Sequence, residues 1–141
     1  QPTSILLKMN IEKYLGIPFK KKGRGFDGCD CYGLVWLFYR NELGIELPDY
    51  RMVDSDSTDA QLNAAFLENA YRDWAPIEFE DRRPYDGIML NTGCGDIRHC
   101  GIVISDDRFL HAWREANQVM PSSILKFKHS FHGLYRHKDL A

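Results

Sequence analysis

The sequence predicts an α+β domain, and three observations carry that expectation. Its first half holds apolar residues at helical spacing. From Trp74 onward, short apolar runs are separated by turn residues. The two textures are segregated along the chain instead of alternating, the order expected when helices pack on a mostly antiparallel sheet. At 141 residues, 44% hydrophobic and 13% aromatic, the chain fits a single domain over residues 1–141. A domain of this size buries roughly two-thirds of its unfolded surface.

Each element has a local reason. Ile5, Leu6, Met9 and Leu15 among lysines and polar residues suggest an amphipathic helix over 5–15, ended by Gly16 and barred from continuing by Pro18. Lys20 to Gly28, with Gly23, Gly25 and Gly28, reads as a loop. Asp30 is placed to cap the next helix by accepting from its free N–H groups. That helix is expected from Cys31 to Leu43, with Gly44 as its left-handed stop. Val35 to Tyr39 is apolar on all sides, so this is the central buried helix, with Trp36 and Trp74 in the core. A polar stretch, Asp49 to Asp59, reads as a surface excursion, and Thr58 with Gln61 as a capping box opening a second amphipathic helix through Leu62, Ala65, Phe66 and Ala70. Strands are expected at Ile77–Phe79, Ile88–Leu90, Cys100–Ile104, Phe109–Trp113 and Leu134–Tyr135, with Asp86-Gly87 as a tight turn.

The candidate chemistry lies where the glycine-rich loop meets the central helix. A thiol at a helix start sits at the positive end of the dipole among unpaired N–H groups, which stabilises the thiolate. Cys31 occupies that position, and His99 and His111 follow on later strands. Thiol, base and an orienter for the base are the parts of cysteine nucleophilic catalysis. Because strand side chains alternate, His99 and His111 share a face only if the Asp106-Asp107 connection has an odd length or carries a bulge. A three-residue loop would set His111 across from Val103. Gly101 would then leave space beside His99 for another element, the start of the cysteine helix. Glu115 and Asn117 stand next in line if His111 is not the third member.

Other classes are weaker. A net charge of -2, from 18 basic and 20 acidic side chains, offers no field for a phosphate backbone, so nucleic acid is not an expected partner. The longest apolar run, Leu34 to Phe38, is far short of the ~20 residues that span a bilayer, and no signal-peptide layout opens the sequence. It begins at Gln1, which leaves an upstream leader open. Cys29 and Cys31 are too close for an unstrained bridge, and Cys-x2-Cys zinc spacing is missing. A zinc set of Cys29, Cys31, Cys94 and His99 or Cys100 can still be written, but Cys29, Cys94 and Cys100 read more simply as small buried side chains. His129, His132 and His137 read as surface residues.

The blocks Gly16-Ile17-Pro18-Phe19, Asp30-Cys31-Tyr32-Gly33-Leu34-Val35, Pro84-Tyr85-Asp86-Gly87-Ile88, His99-Cys100-Gly101-Ile102-Val103-Ile104 and Phe109-Leu110-His111-Ala112 occur in an order that resembles the NlpC-type cysteine peptidases. These are papain-like enzymes that cleave peptidoglycan stem peptides. The Gly28-Cys29-Asp30-Cys31 variant, Leu47-Pro48 and the ending Gly133-Leu134-Tyr135-Arg136 look most like the branch carried by phage tails, where tail-tip proteins would be partners and the wall the site of action. The resemblance implies a papain-like fold, Cys31 as nucleophile, His99 as base, His111 as third member, and no metal or organic cofactor. It sets Phe19, Asp30 and Tyr32 on the substrate side, and it implies cleavage between D-glutamate and a diamino acid. Wall-acting members usually carry Tyr in place of Phe19 and Ser in place of Tyr32. Another thiol amidase or acyltransferase, or a tail protein whose site has lapsed, are the alternatives.

Overall fold

The computed structural model describes residues 11–49, 72–91 and 97–140. The expected helix over 5–15 falls mostly outside these residues, as do most of the polar excursion, the helix from Thr58 and Cys94. Among the described residues there is one α-helix, α1 (Cys31–Phe38), and eight strands: β1 (Arg24–Gly25), β2 (Gly28–Cys29), β3 (Trp74–Ile77), β4 (Gly87–Asn91), β5 (Ile97–Ser105), β6 (Arg108–Trp113), β7 (Gln118–Ser123) and β8 (Phe131–His137). The first two form a small ribbon. The other six form one sheet, ordered β3-β8-β4-β5-β6-β7, with every neighbouring pair antiparallel. The α+β expectation therefore holds.

Alternation along the strands gives the sheet two apolar faces. Cys100, Ile102, Ile104, Leu110, Ala112 and Val119 pack with α1, whose Leu34 to Phe38 are all buried. Ile88, Leu90, Val103, Phe109, Ile124 and Leu134 form a second core on the other face. The helix does not continue as α to Leu43. At Tyr39–Leu43 it widens into a π-turn, and Gly44, at φ +67°, supplies the left-handed stop. None of the described helices is long and apolar enough to cross a membrane.

Several local expectations are corrected. The presumed loop Lys20–Gly28 contains the β1–β2 ribbon, with Arg24 opposite Cys29. The strand expected at Ile77–Phe79 lies earlier, at Trp74–Ile77, and Phe79–Asp81 is a 3-10 turn. Strand β7 was not anticipated, because Pro121 and two serines mask its alternation. It lies at the end of the sheet order, where a residue without an N–H is tolerated. The turn before β4 closes earlier than Asp86-Gly87, with the Asp86 N–H donating to Arg83 O at 3.1 Å and Tyr85 at φ +80°. Asp86 is instead buried, 1% exposed, and Arg136 grips it with Nε to Oδ1 and Nη2 to Oδ2, each at 2.9 Å. His129 and His132 are exposed as expected, but His137 is buried against Trp74, their ring centroids 5.1 Å apart. Of the two tryptophans expected in the core, Trp36 is buried and Trp74 half-buried.

Candidate active site

The start of α1 is fixed by one carboxylate. Asp30 is in extended conformation, and its Oδ1 accepts the Gly33 N–H at 2.7 Å. Its Oδ2 accepts the Lys22 N–H at 2.8 Å, and the Arg24 guanidinium donates to Oδ1 at 3.0 Å. The cap thus ties the glycine loop to the helix. Gly33 is required here because a Cβ would lie 2.0 Å from Gly23 O. Burial first, and then the charge at Cys31, raises the Asp30 carboxyl above its ordinary range, against the pull of Arg24 and the two N–H groups.

Cys31, the first residue of α1, is partly exposed, whereas Cys29 and Cys100 are buried. Its sulfur accepts from the Cys100 thiol, from the His99 imidazole and from the Cys100 backbone N–H. In that order these bonds, with the charge of His99, hold its pKa well below the ordinary thiol value, while burial alone opposes them. The same bond, and then burial, raise the pKa of Cys100. Cys29 is different in kind: burial pushes its thiol up to about 12.

The two histidines share a face, but by a register other than the expected one. A two-residue turn pairs Ser105 with Arg108, and a bulge then brings Val103 opposite Phe109 and Ile102 opposite Leu110. His111 consequently stands across from Gly101, not Val103. The room left by Gly101 is taken by β6 and not by the helix: a Cβ there would lie 2.7 Å from Leu110 O and 2.8 Å from a Phe109 ring carbon. Nor is the shared face the one that packs on α1; Phe109 belongs to the second core.

From this face the rings form a chain. His99 Nε2 and His111 Nδ1 are 2.6 Å apart, and His111 Nε2 lies 2.8 Å from Ser122 Oγ. His111 is fully buried, with ring centroids of Phe109, Trp113 and Phe127 at 4.4, 5.4 and 5.7 Å. Burial, and then the charge of His99, depress its pKa to about 3, so it stays neutral. Sequence reasoning missed Ser122, and for Cys100 it preferred a packing role over a place in a zinc set. The one signal for Ser122 lies in register: it is the diagonal neighbour of His111, which pairs with Met120.

The remaining candidates make other contacts. The half-buried Phe19 pairs with Cys29 through an isolated bridge, and the Arg114 guanidinium lies over its ring at 5.4 Å. The Tyr32 hydroxyl donates to Pro48 O at 2.6 Å. Glu115 and Asn117 are exposed, and the Nδ1 of His111 already serves His99. No group of three His, Cys, Asp or Glu side chains among the described residues converges as metal ligands.

The family model "NlpC/P60 family" matches residues 16–134, most of the chain and all of this site. The chain belongs to the NlpC/P60 family, whose members are cysteine peptidases acting as hydrolases. Solved structures share the fold. NlpC2 from Trichomonas vaginalis superposes with a TM-score of 0.67 at 20% identity, over 90% of this chain and 43% of that one. The NlpC/P60 domain of the peptidoglycan hydrolase SagA gives 0.58 at 16% identity, over 90% and 92%. The P60 domain of the M. avium subspecies paratuberculosis antigen MAP1204 gives 0.60 at 18%, over 97% and 94%. The chain thus spans less than half of the T. vaginalis protein but nearly the whole of the two isolated domains. No curated protein matches it.

Proposed function

We propose that this NlpC/P60 domain is a cysteine endopeptidase that hydrolyses peptidoglycan stem peptides, with Cys31 as nucleophile, His99 as base and His111 as orienter. The observation that supports it most is the unbroken chain from the Cys31 sulfur through His99 to His111. His99 uses Nε2 on His111, which leaves Nδ1 to take the thiol proton. The thiolate then attacks an amide carbonyl, and the oxyanion develops near the Cys31 N–H at the helix start. Collapse to the acyl-enzyme expels the amine, which His99 protonates. Water, deprotonated by His99, releases the acid and restores the thiol.

Family membership favours a peptidoglycan substrate, and the resemblance of the ordered blocks favours the D-glutamyl to diamino acid bond and action on the wall from a phage tail tip. The same resemblance favours Phe19, Tyr32 and Asp30 as residues on the substrate side. Because Phe19 has no hydroxyl and the Tyr32 hydroxyl donates to Pro48 O, neither serves as a second oxyanion donor in this arrangement. Mass spectrometry of purified peptidoglycan after incubation tests the reading. New muropeptide ends at the D-glutamyl bond with the native protein, and none with Cys31→Ser, are expected. Intact muropeptides with both would refute it.

A further inference from the structure

The imidazole chain ends on a side chain that nothing above gives a role. His111 Nε2 points into a pocket walled by Phe109, Trp113 and Phe127, and the partner it meets there is the Ser122 hydroxyl at 2.8 Å. Ser122 is itself buried, 8% exposed, and reaches His111 diagonally from β7.

An imidazole bonded at both nitrogens has two possible tautomers, and they have opposite consequences for Cys31. With the His111 proton on Nε2, Nδ1 is a lone pair that accepts the His99 Nε2–H, and His99 Nδ1 is left as a lone pair facing the thiol. With the proton on Nδ1, His111 donates to His99 Nε2. Neutral His99 then carries its proton on Nδ1, and the nitrogen facing Cys31 cannot accept one. The ion pair that the peptidase reading requires between Cys31 and His99 needs the first arrangement, since an imidazolium donates from both nitrogens and must find a lone pair on His111. The His111 proton then lies on Nε2, and an acceptor is needed at the bottom of the aromatic pocket. An unpartnered N–H buried there would carry its full desolvation cost.

We infer that Ser122 is a positioning residue of this site: its hydroxyl accepts the His111 Nε2–H and thereby fixes which nitrogen of His99 faces Cys31 as a base. The inference rests on the peptidase reading, whose ion pair selects the tautomer, but the tautomer is measured independently of activity. No covalent step is added. Ser122 holds a proton in place while others move.

Ser122→Thr and Ser122→Val form the test pair, because they have the same shape and differ only in the hydroxyl, so any packing disturbance is common to both. Nitrogen-15 NMR of the labelled imidazoles at pH 7 reads the tautomer, and the rate of Cys31 alkylation by iodoacetamide at pH 6 reads its effect. Expected are a His111 protonated on Nε2 in the native protein and in Ser122→Thr, a shift toward Nδ1–H in Ser122→Val, and slower alkylation in Ser122→Val by roughly tenfold, the usual scale for an outer-shell partner. Unchanged tautomer and rate in Ser122→Val, or equal losses in both variants, would reduce Ser122 to packing and overturn the inference. If native Cys31 is unreactive at pH 6 while the tautomers still differ between the two variants, the peptidase reading fails and the tautomer assignment stands.

Discussion

Cys31, Cys29 and Cys100 are the same residue type in one small volume, and their surroundings alone separate them. Burial raises the Cys29 thiol; the bond to Cys31, and then burial, raise Cys100; Cys31, with three donors on one sulfur, is lowered. Removing one donor therefore has a sign. Cys100→Val keeps the volume close but deletes the S–H donor, so the midpoint of Cys31 alkylation should move up by about one to two pH units, the worth of one hydrogen bond to a charged group at about 1.5–3 kcal/mol. A pH titration of iodoacetamide reactivity measures it. At His111, an amide oxygen can still accept the His99 Nε2–H, so His111→Asn should retain more turnover than His111→Leu, in which nothing orients the ring. Initial rates on stem peptides rank the two variants, and equal rates would move the orienting role elsewhere.

At the scale of elements, what could be foreseen was what is decided locally. The cap at Asp30, the start of α1 at Cys31 and the left-handed stop at Gly44 follow from residues within a turn of one another, and all three are present. The shared face of His99 and His111 was also legible, since strand alternation demands an irregular β5–β6 connection and the bulge supplies it. The register itself was not, because it depends on which side chains β6 can seat against Gly101. Nor was Ser122, on a strand whose alternation Pro121 conceals. Gly101 is the point where register and packing meet. Gly101→Ala should destabilise the domain by about 1–3 kcal/mol, as overpacking does, and lower turnover by parting Phe109 and His111 from β5. Thermal unfolding and initial rates are the two readouts, and a native melting temperature would show that β6 yields without cost.

Across the whole molecule, distant parts of the chain meet in pairs that sequence spacing does not disclose. Asp86 and Arg136 lie 50 residues apart, yet they close the β4 turn onto β8, and the carboxylate also accepts the Arg83 N–H at 2.7 Å. Losing one partner of so buried a pair leaves a charge uncompensated, so Asp86→Ala should cost about 3–5 kcal/mol. Asp86→Asn should cost less, because it keeps an acceptor for Arg83. Thermal melts of the two variants decide this, and an Asp86→Ala protein as stable as the native one would show that the pair only offsets its own desolvation. Gly16 to Phe19 likewise folds back on β7, with the Gly16 N–H donating to Val119 O at 3.0 Å and the Phe19 N–H to Asn117 O at 3.1 Å. The first family block thereby borders the strand that carries Ser122. In the proposed function, the assembled molecule maintains Cys31 as a thiolate poised against His99. The pH dependence of Cys31 alkylation, compared between the native protein and His99→Ala, tests it most directly, with Cys29 as the unreactive internal reference. A lowered thiol pKa means that reactivity persists as the pH falls, so the native midpoint should lie well below the ~8.5 of a free cysteine, and in His99→Ala it should rise toward that value. Native reactivity that appears only near pH ~8.5, or a profile that His99→Ala leaves unmoved, would remove His99 as the base of Cys31.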